Sequence, residues 1–590
     1  MIVDQKKYAF YALITLAFLA LTLQLANLQI FERRKYLRHS QRNRIRSIIV
    51  QPKRGTIFDR NGVVLVENMP SYSVSAIPYE SAKDDSLFYH IAGILRQDVH
   101  EIQNKIQSAR GPFTPIKLAR DVEFSALIRI EEQKLDFPGI LFDVEPKRHY
   151  PAGVRAPHLF GYIGEISQSE LRIKGNDGLQ KGDIIGKKGL EKIYDRTLRG
   201  KAGYAYHEVD ALGRVVRDLD IGEESHPVSG NDLYLALDGK LQKQAEEMFD
   251  QKNGGVVLLD VRNGGVLVDC SKPDYDPFIF SGTLEMDAWR ELINDPDKPL
   301  YDRMIQSTFP PGSTFKLVLA TAALQNKAVN LTEKTVCNGY VRLGNRIFNC
   351  WKKDGHGAVD FMEAIKRSCN VYFYRLMPRV GVDAWAAYAQ DFGFGKVTGI
   401  DLANESSGNQ PNREYLDQIY GKNGWSTGML YNMAIGQGDV LVTPLQMAQL
   451  AMIIANKGRY YQPHVLDRTY NAESKRTIPF QPVGKSTELV SEEAYDVIRK
   501  AMLSVVNEEG GTGRASWLRD VLVAGKTGTA QNPHGESHAW FIGFAPFDKP
   551  QVAVCVFVEN GGGGGAVAAP LAGEMLKAYF RQKDTLTAAL

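Results

Sequence analysis

Net charge is almost missing from this chain: 71 Lys and Arg stand against 68 Asp and Glu, a formal excess of +3 over 590 residues. A nucleic-acid binder normally concentrates a stronger basic excess on one domain. Zinc-finger spacing, a P-loop and a dinucleotide-binding glycine pattern are lacking too, so no nucleic-acid partner is expected. No internal repeat is evident. At 44% hydrophobic and 24% charged residues, wholesale disorder and collagen-like architecture are excluded. The length exceeds one ordinary core and calls for two or more domains.

Long uncharged apolar runs are scarce, and the informative one is Tyr8 to Ile30, YAFYALITLAFLALTLQLANLQI. Its length suits a single helix crossing a bilayer, residues 8–30, behind a short tail of residues 1–7. A cleaved signal peptide would have a shorter apolar core and a small-x-small cleavage site, which this segment does not show clearly. Lys6 and Lys7 precede the span, whereas Arg33, Arg34, Lys35, Arg38, Arg42, Arg44 and Arg46 follow it. Read locally, the positive-inside rule places the large domain in the cytoplasm.

The rest reads as an α+β protein. After the anchor, β-branched alternation broken at Arg60-Asn61-Gly62 predicts strands joined by a tight turn. Ser81 to Gln107 is expected to be helical, and short strands and loops continue to about Arg217. A second unit opens near Asn231 with the strand-like DLYLALD and the helical pattern GKLQKQAEEMFDQ. GGVVLLDVRNGGVLVD predicts two strands meeting at Asn263-Gly264. Far downstream, VLVAGKTGTAQ, HAWFIGFAP and QVAVCVFVEN predict three antiparallel strands, closed by a helix in PLAGEMLKAYFRQ. Strands at both ends of a long helical insert imply an antiparallel sheet assembled from distant parts of the chain. The glycine run Gly561–Gly565 is expected to be a mobile loop before the last helix, without chemistry of its own, although it follows a core strand and so could border a substrate groove.

Three short motifs carry chemistry. Ser313 and Lys316, in PPGSTFK before the apolar LVLATAALQ, belong on one face at the start of a helix. There a free backbone N–H can serve an oxyanion, and an amine can take the hydroxyl proton. Alone this is weak, since about two Ser-x-x-Lys matches arise by chance in such a chain. Ser368-Cys369-Asn370 adds a hydroxyl and an amide where two helical patterns meet. Lys526-Thr527-Gly528-Thr529 interrupts a strand, and its glycine marks a place where another backbone can come close. Each motif alone has a plain structural explanation; the three in this order do not.

The set resembles the serine acyltransferases of the penicillin-binding protein family. RGTIFDRNG, HYPAG, HLFGYIGEIS, GLEKIYDRTLRG, GQG at Gly436–Gly438 and TPLQMAQLA narrow the resemblance to class B members. GYIGEIS, Gly355-His356-Gly357 and NEEGGTGRAS are similar to the elongation type, penicillin-binding protein 2, more than to the division paralogue. The resemblance implies a dimerisation or pedestal region over 31–225, a transpeptidase domain over 226–582 and a tail over 583–590. It also implies a peptidoglycan D,D-transpeptidase acting on the D-alanyl-D-alanine end of stem peptides, blocked by β-lactams. In that reading Ser313 is the nucleophile and Lys316 its base, kept neutral by burial and by the charge of Lys526. Ser368 relays the proton, Asn370 holds the donor amide, and Thr527, Gly528 and Thr529 bind substrate. The N–H groups of Ser313 and Thr529 form the oxyanion hole. No cofactor is needed for acyl transfer.

Family resemblance also implies a single-pass cytoplasmic-membrane protein with its catalytic domain outside, against the local charge count. A SEDS glycosyltransferase, RodA-like in elongation, is the implied partner. Two rival functions use the same residues differently: a β-lactam hydrolase or sensor, and a non-catalytic activator of a glycosyltransferase. The first needs fast deacylation by water, for which the sequence offers no group. The second has no need for an intact Ser313, Lys316, Ser368, Asn370 and Lys526.

Three of the five cysteines, Cys337, Cys350 and Cys369, lie close in sequence with His356 among them. Three thiols and an imidazole suit a closed tetrahedral zinc site. A Cys337–Cys350 disulfide with Cys369 merely buried is the alternative. Some penicillin-binding protein 2 enzymes bind zinc through two aspartates, a histidine and a cysteine. His356 and Cys369 match the last two, while Cys337 and Cys350 stand where the aspartates would be.

Overall fold

A computed structural model of the chain describes residues 2–33, 45–50, 52–81, 85–108, 111–112, 115–174, 179, 183–209, 215–219, 226–282, 286–422 and 424–588. Most of the basic run after the apolar segment, residues 34–44, and the last two residues of the expected tail lie outside the described residues.

The apolar segment is helical, α-helix over Ile2–Ala26 and a π-helical turn over Asn27–Phe31. Lys7–Ile30, with a mean hydropathy of 2.0, is long and apolar enough to cross a membrane. The Thr15 and Thr22 hydroxyls donate to the carbonyls of Tyr11 and Phe18, four residues back. Polar groups satisfied within the helix are what a hydrocarbon environment requires.

The chain divides into two units, the apolar helix belonging to the smaller, and each has its own core. The smaller comprises Met1–Arg54, Pro70–Glu145 and Gly200–Gly230. Its expected helical stretch is two helices, Asp85–Leu95 and Val99–Gln107, separated where Arg96 takes φ +53 and the Asp98 carboxylate caps the second helix through His100 N and Glu101 N. Their apolar faces, with Ile91, Ile102 and Ile106, close on Val74, Leu118 and Ile130.

In the larger unit, several of the family-like sequence stretches converge on one buried ion pair. Arg148, fully buried, meets Glu191 at 2.7 Å and donates to the Gly55 carbonyl at 2.9 Å and to Asn68 Oδ1 at 3.0 Å. Gly55 sits so close to the Asn231 carbonyl that an added Cβ would lie 1.9 Å from it. RGT, the arginine before HYPAG and GLEKIYDRTLRG are thus parts of a single structural knot, and removing one partner would strand a buried charge.

The centre of this unit is a five-stranded antiparallel sheet of β1 (Gly254–Asp260), β2 (Val266–Lys272), β3 (Ala524–Ala530), β4 (His538–Ala545) and β5 (Val552–Val558), in the spatial order β2-β1-β5-β4-β3. Residues alternate between two cores. Val256, Leu258, Val554 and Val556 pack with the helix Gly239–Met248 and the C-terminal helix Ala568–Ala588. Val257, Leu259, Cys555 and Phe557 pack on the other face with α1 (Lys316–Gln325), α4 (Pro444–Ala455) and α5 (Glu492–Asn507). Helices on both faces explain why the strands read as nearly unbroken apolar runs. The insert also contributes α2 (Phe361–Lys366) and α3 (Asn370–Val380). The turns at Gly62 and Gly264 both fall where the sequence predicts them.

Candidate active site

Ser313 lies in a 3-10 turn, Gly312–Phe315, that runs directly into α1, with Lys316 as the first α-helical residue. Thr314 Oγ1 donates to the Pro311 carbonyl at 2.7 Å, and the Phe315 ring is wedged against Phe394 and Trp385. The nucleophile candidate therefore stands on a rigid base while its own side chain stays half-buried at the surface. Backbone packs on backbone here. Gly312 takes φ +55 and donates to the Gly436 carbonyl at 2.9 Å, and a Cβ on Gly436 would fall 2.1 Å from the Gly312 carbonyl oxygen.

Ser368-Cys369-Asn370 joins α2 to α3. Cys369 N donates to Ala364 O and Ser368 N to Ile365 O, closing α2 with a Schellman-type end in which Ser368 occupies the left-handed position, φ +54. Glycine is the usual occupant there. Cys369 then serves as the N-cap of α3, and Asn370 is its first residue.

Lys526, Thr527, Gly528 and Thr529 lie inside β3, not at an interruption of it; the strand begins at Ala524. β3 is the edge of the sheet, so alternate N–H and C=O groups face away from β4 and can pair with an added peptide. The close approach expected at Gly528 is real: a Cβ would lie 2.8 Å from the Pro311 carbonyl and 3.0 Å from Thr314 Cγ2. The glycine lets the Ser313 turn settle onto the strand.

These elements bring the amines and the second serine together. Lys526 Nζ donates to Ser368 Oγ at 2.9 Å and to the Thr527 carbonyl at 2.9 Å. Lys316 Nζ donates to Asn370 Oδ1 at 2.7 Å and to the Ser368 carbonyl at 2.9 Å, and approaches Ser368 Oγ at 3.3 Å. Asn370 Nδ2 donates to the Asn349 carbonyl at 3.3 Å, which fixes the amide so that its oxygen faces Lys316. Both lysines are fully buried. Burial pushes Lys316 down to about 8, against the pull of the neighbouring thiols. The expected help from the charge of Lys526 is not what lowers it. Lys526 is itself pushed well down, by burial first and then by Lys316.

One feature was not read from the sequence as part of the site, and another is more ordered than expected. Thr527 Oγ1 donates to Thr512 Oγ1 at 2.7 Å, and the Thr512 loop is tied to α2 by Lys366 and Glu508 at 3.0 Å. NEEGGTGRAS was visible as a stretch, but nothing in it singled out Thr512. The glycine run, expected to be mobile, folds onto β3: Gly564 N donates to Thr529 Oγ1 at 3.1 Å, and Gly562 N to the Ser537 carbonyl at 2.8 Å.

Cys337, Cys350, His356 and Cys369, all buried, converge so that their ligand atoms lie within 4.8 Å of one another. His356 Nδ1 is 3.6 Å from Cys337 Sγ and 3.5 Å from Cys350 Sγ. None of the five cysteines is paired in a disulfide in this structure.

Comparison with known proteins places this geometry in a family. Residues 254–577 match the penicillin-binding protein transpeptidase domain and residues 49–235 the penicillin-binding protein dimerisation domain. Peptidoglycan D,D-transpeptidase MrdA of Acinetobacter baumannii is 35% identical over 576 residues, covering 94% of this chain and 84% of the relative. Penicillin-binding protein 2 of Helicobacter pylori, solved in complex with MreC, superposes with a TM-score of 0.79 at 28% identity, covering 91% of this chain and 100% of that one. A chain from a structure describing how a peptidoglycan synthase complex coordinates polymerization and crosslinking gives 0.73 at 27% identity, covering 97% and 98%. The chain belongs to the penicillin-binding proteins, a family of serine acyltransferases, as a class B member of the penicillin-binding protein 2 type.

Proposed function

We propose that Ser313 is the nucleophile through which this chain, an elongation-type peptidoglycan D,D-transpeptidase, cross-links stem peptides. The observation that carries this reading is the Ser368 hydroxyl shared by two buried lysine amines beside the Ser313 turn. The donor's D-alanyl-D-alanine end lies along β3, its carboxylate between Thr527, Thr529 and Lys526. An arriving carboxylate restores the charged form of Lys526, which burial and the neighbouring Lys316 disfavour. Lys316, neutral, takes the Ser313 hydroxyl proton as Oγ bonds to the penultimate carbonyl carbon. The N–H groups of Ser313 and Thr529 hold the oxyanion. The C–N bond then breaks, and Ser368 passes the proton to the departing D-alanine amine. An amine of a neighbouring stem attacks the ester, loses a proton to Lys316, and Ser313 regains its hydroxyl. β-Lactams acylate the same oxygen. Full-length Ser313→Ala protein should form no covalent adduct with labelled penicillin; an adduct of undiminished amount overturns the assignment.

The cluster beside the site fits a structural zinc ion. Zn–S bonds of about 2.3 Å and a Zn–N bond of about 2.05 Å at a tetrahedral angle require N···S edges of about 3.5 Å, close to the separations of His356 Nδ1 from Cys337 and Cys350. Cys337, Cys350, Cys369 and His356 would hold it, closing the site to solvent and anchoring the segment that carries Ser368. Zinc takes no part in acyl transfer.

The apolar helix anchors the protein in the cytoplasmic membrane with its catalytic domain outside, where cross-linking substrates are. A C-terminal reporter active only in the cytoplasm would overturn that orientation. An MreC-like scaffold is one partner this reading implies, since the H. pylori relative was solved with MreC, and a RodA-like SEDS glycosyltransferase is the partner the family resemblance implies. Co-elution of the full chain with each candidate tests the pairing.

A further inference from the structure

The segment Asn349-Cys350-Trp351 has no place in the reaction described above, yet it runs antiparallel to Ser368-Cys369-Asn370, partner for partner. The Asn349 carbonyl accepts from Asn370 Nδ2. Cys350 Sγ and Cys369 Sγ lie within 4.8 Å of each other. Trp351 Nε1 donates to the Ser368 carbonyl at 3.1 Å and, shared, to the Arg367 carbonyl at 3.1 Å. The three contacts tie the second catalytic motif to one neighbouring strip of chain.

Trp351 is the unexpected member. Its side chain is 58% exposed, so its N–H could bond to water at no cost. Instead it turns inward to the two carbonyls that follow α2, with the ring edge-on to His356 at 5.3 Å. Ser368 needs such support, because the left-handed conformation it adopts costs a non-glycine residue about 1–2 kcal/mol. Its carbonyl has two lone pairs, one taken by Lys316 Nζ and one by the indole. Since the Ser368 backbone sets where its hydroxyl points, a carbonyl released to water would also release the hydroxyl from the two amines.

We propose that Trp351 is a positioning residue for the acylation step, its indole N–H holding the Ser368 carbonyl so that the Ser368 hydroxyl stays between Lys316 and Lys526. This rests on the assignment of those three groups to acyl transfer.

Time courses of adduct formation by the full-length protein, over a range of labelled-penicillin concentrations, separate the non-covalent dissociation constant from the acylation rate constant. Trp351→Phe keeps an aromatic ring beside His356 and removes the N–H. Its acylation rate constant should fall about tenfold, the weight of one hydrogen bond, with the dissociation constant and melting temperature unchanged. An unaltered acylation rate constant overturns the proposal. So does a loss confined to the dissociation constant, which would make the ring a ligand platform. If the Phe variant melts early, benzothienylalanine at position 351, which keeps the indole shape without the N–H, is judged by the same two constants. Ser313→Ala run in parallel separates the two levels: an adduct there sinks the nucleophile assignment, whereas a normal Trp351→Phe rate sinks only the positioning role.

Discussion

Lys526 Nζ donates to Ser368 Oγ across 2.9 Å, joining the edge strand of the sheet to the junction of two helices 158 residues earlier in the chain. With Lys316 on the other side of the same hydroxyl, Ser368 can pass a proton in either direction but is poorly placed to attack a substrate itself. Ser368→Ala should therefore keep the fold and the Ser313 nucleophile while slowing acylation by labelled penicillin about 10²- to 10⁴-fold, the usual weight of a general acid–base group. A variant acylated at the parental rate would remove Ser368 from the relay.

Lys316 imposes a pH dependence. An amine can accept the Ser313 proton only when neutral, and it is neutral above its pKa, which burial has lowered to about 8. The acylation rate constant should thus rise with pH, be half-maximal near 8 and level off above. Lys316→Arg should be nearly inert at every pH, because a guanidinium stays protonated. A pH-independent rate across that midpoint would assign the base elsewhere.

Much of this site was legible because local patterns reveal where its three motifs sit: two at element boundaries, with an apolar run after Ser313 and two helical patterns abutting at Ser368, and one within a strand around Lys526. The sheet could be read because both of its faces are covered, which leaves the strands as apolar runs at the two ends of the domain. What the sequence left dark were contacts between residues remote in the chain. Thr512 meets Thr527 only because the loop carrying it is tied back to α2 through Lys366. The Gly561–Gly565 run looks like a flexible linker in composition, yet Gly564 hydrogen-bonds to Thr529. Trp351 gave no signal, since its role depends on the direction of one N–H bond.

Gly528 offers a steric test of how the nucleophile is seated. A methyl group there would press on the Pro311 carbonyl, Thr314 Cγ2 and the Trp540 Cβ, at 2.8, 3.0 and 3.1 Å. The first of these is backbone and cannot swing aside. Gly528→Ala should cost about 1–3 kcal/mol of stability and move the Ser313 turn off β3, so that the acylation rate constant falls further than the melting temperature alone would suggest. Parental acylation in a stable Gly528→Ala protein would mean that the turn and strand are not in the contact described.

The thiol–imidazole cluster makes the last prediction. If zinc occupies it, protein purified without reductant or chelator should carry about one zinc per chain. Cys350→Ser should lose that metal, lower the melting temperature and slow acylation together, because Cys350 lies between the two residues that contact Ser368 and Asn370. Binding should weaken as pH falls, since thiols must lose their protons to ligate. The decisive alternative is chemical: metal-free protein with a mapped Cys337–Cys350 disulfide would show that the two sulfurs, both beside His356, stabilise this region by a covalent bond instead.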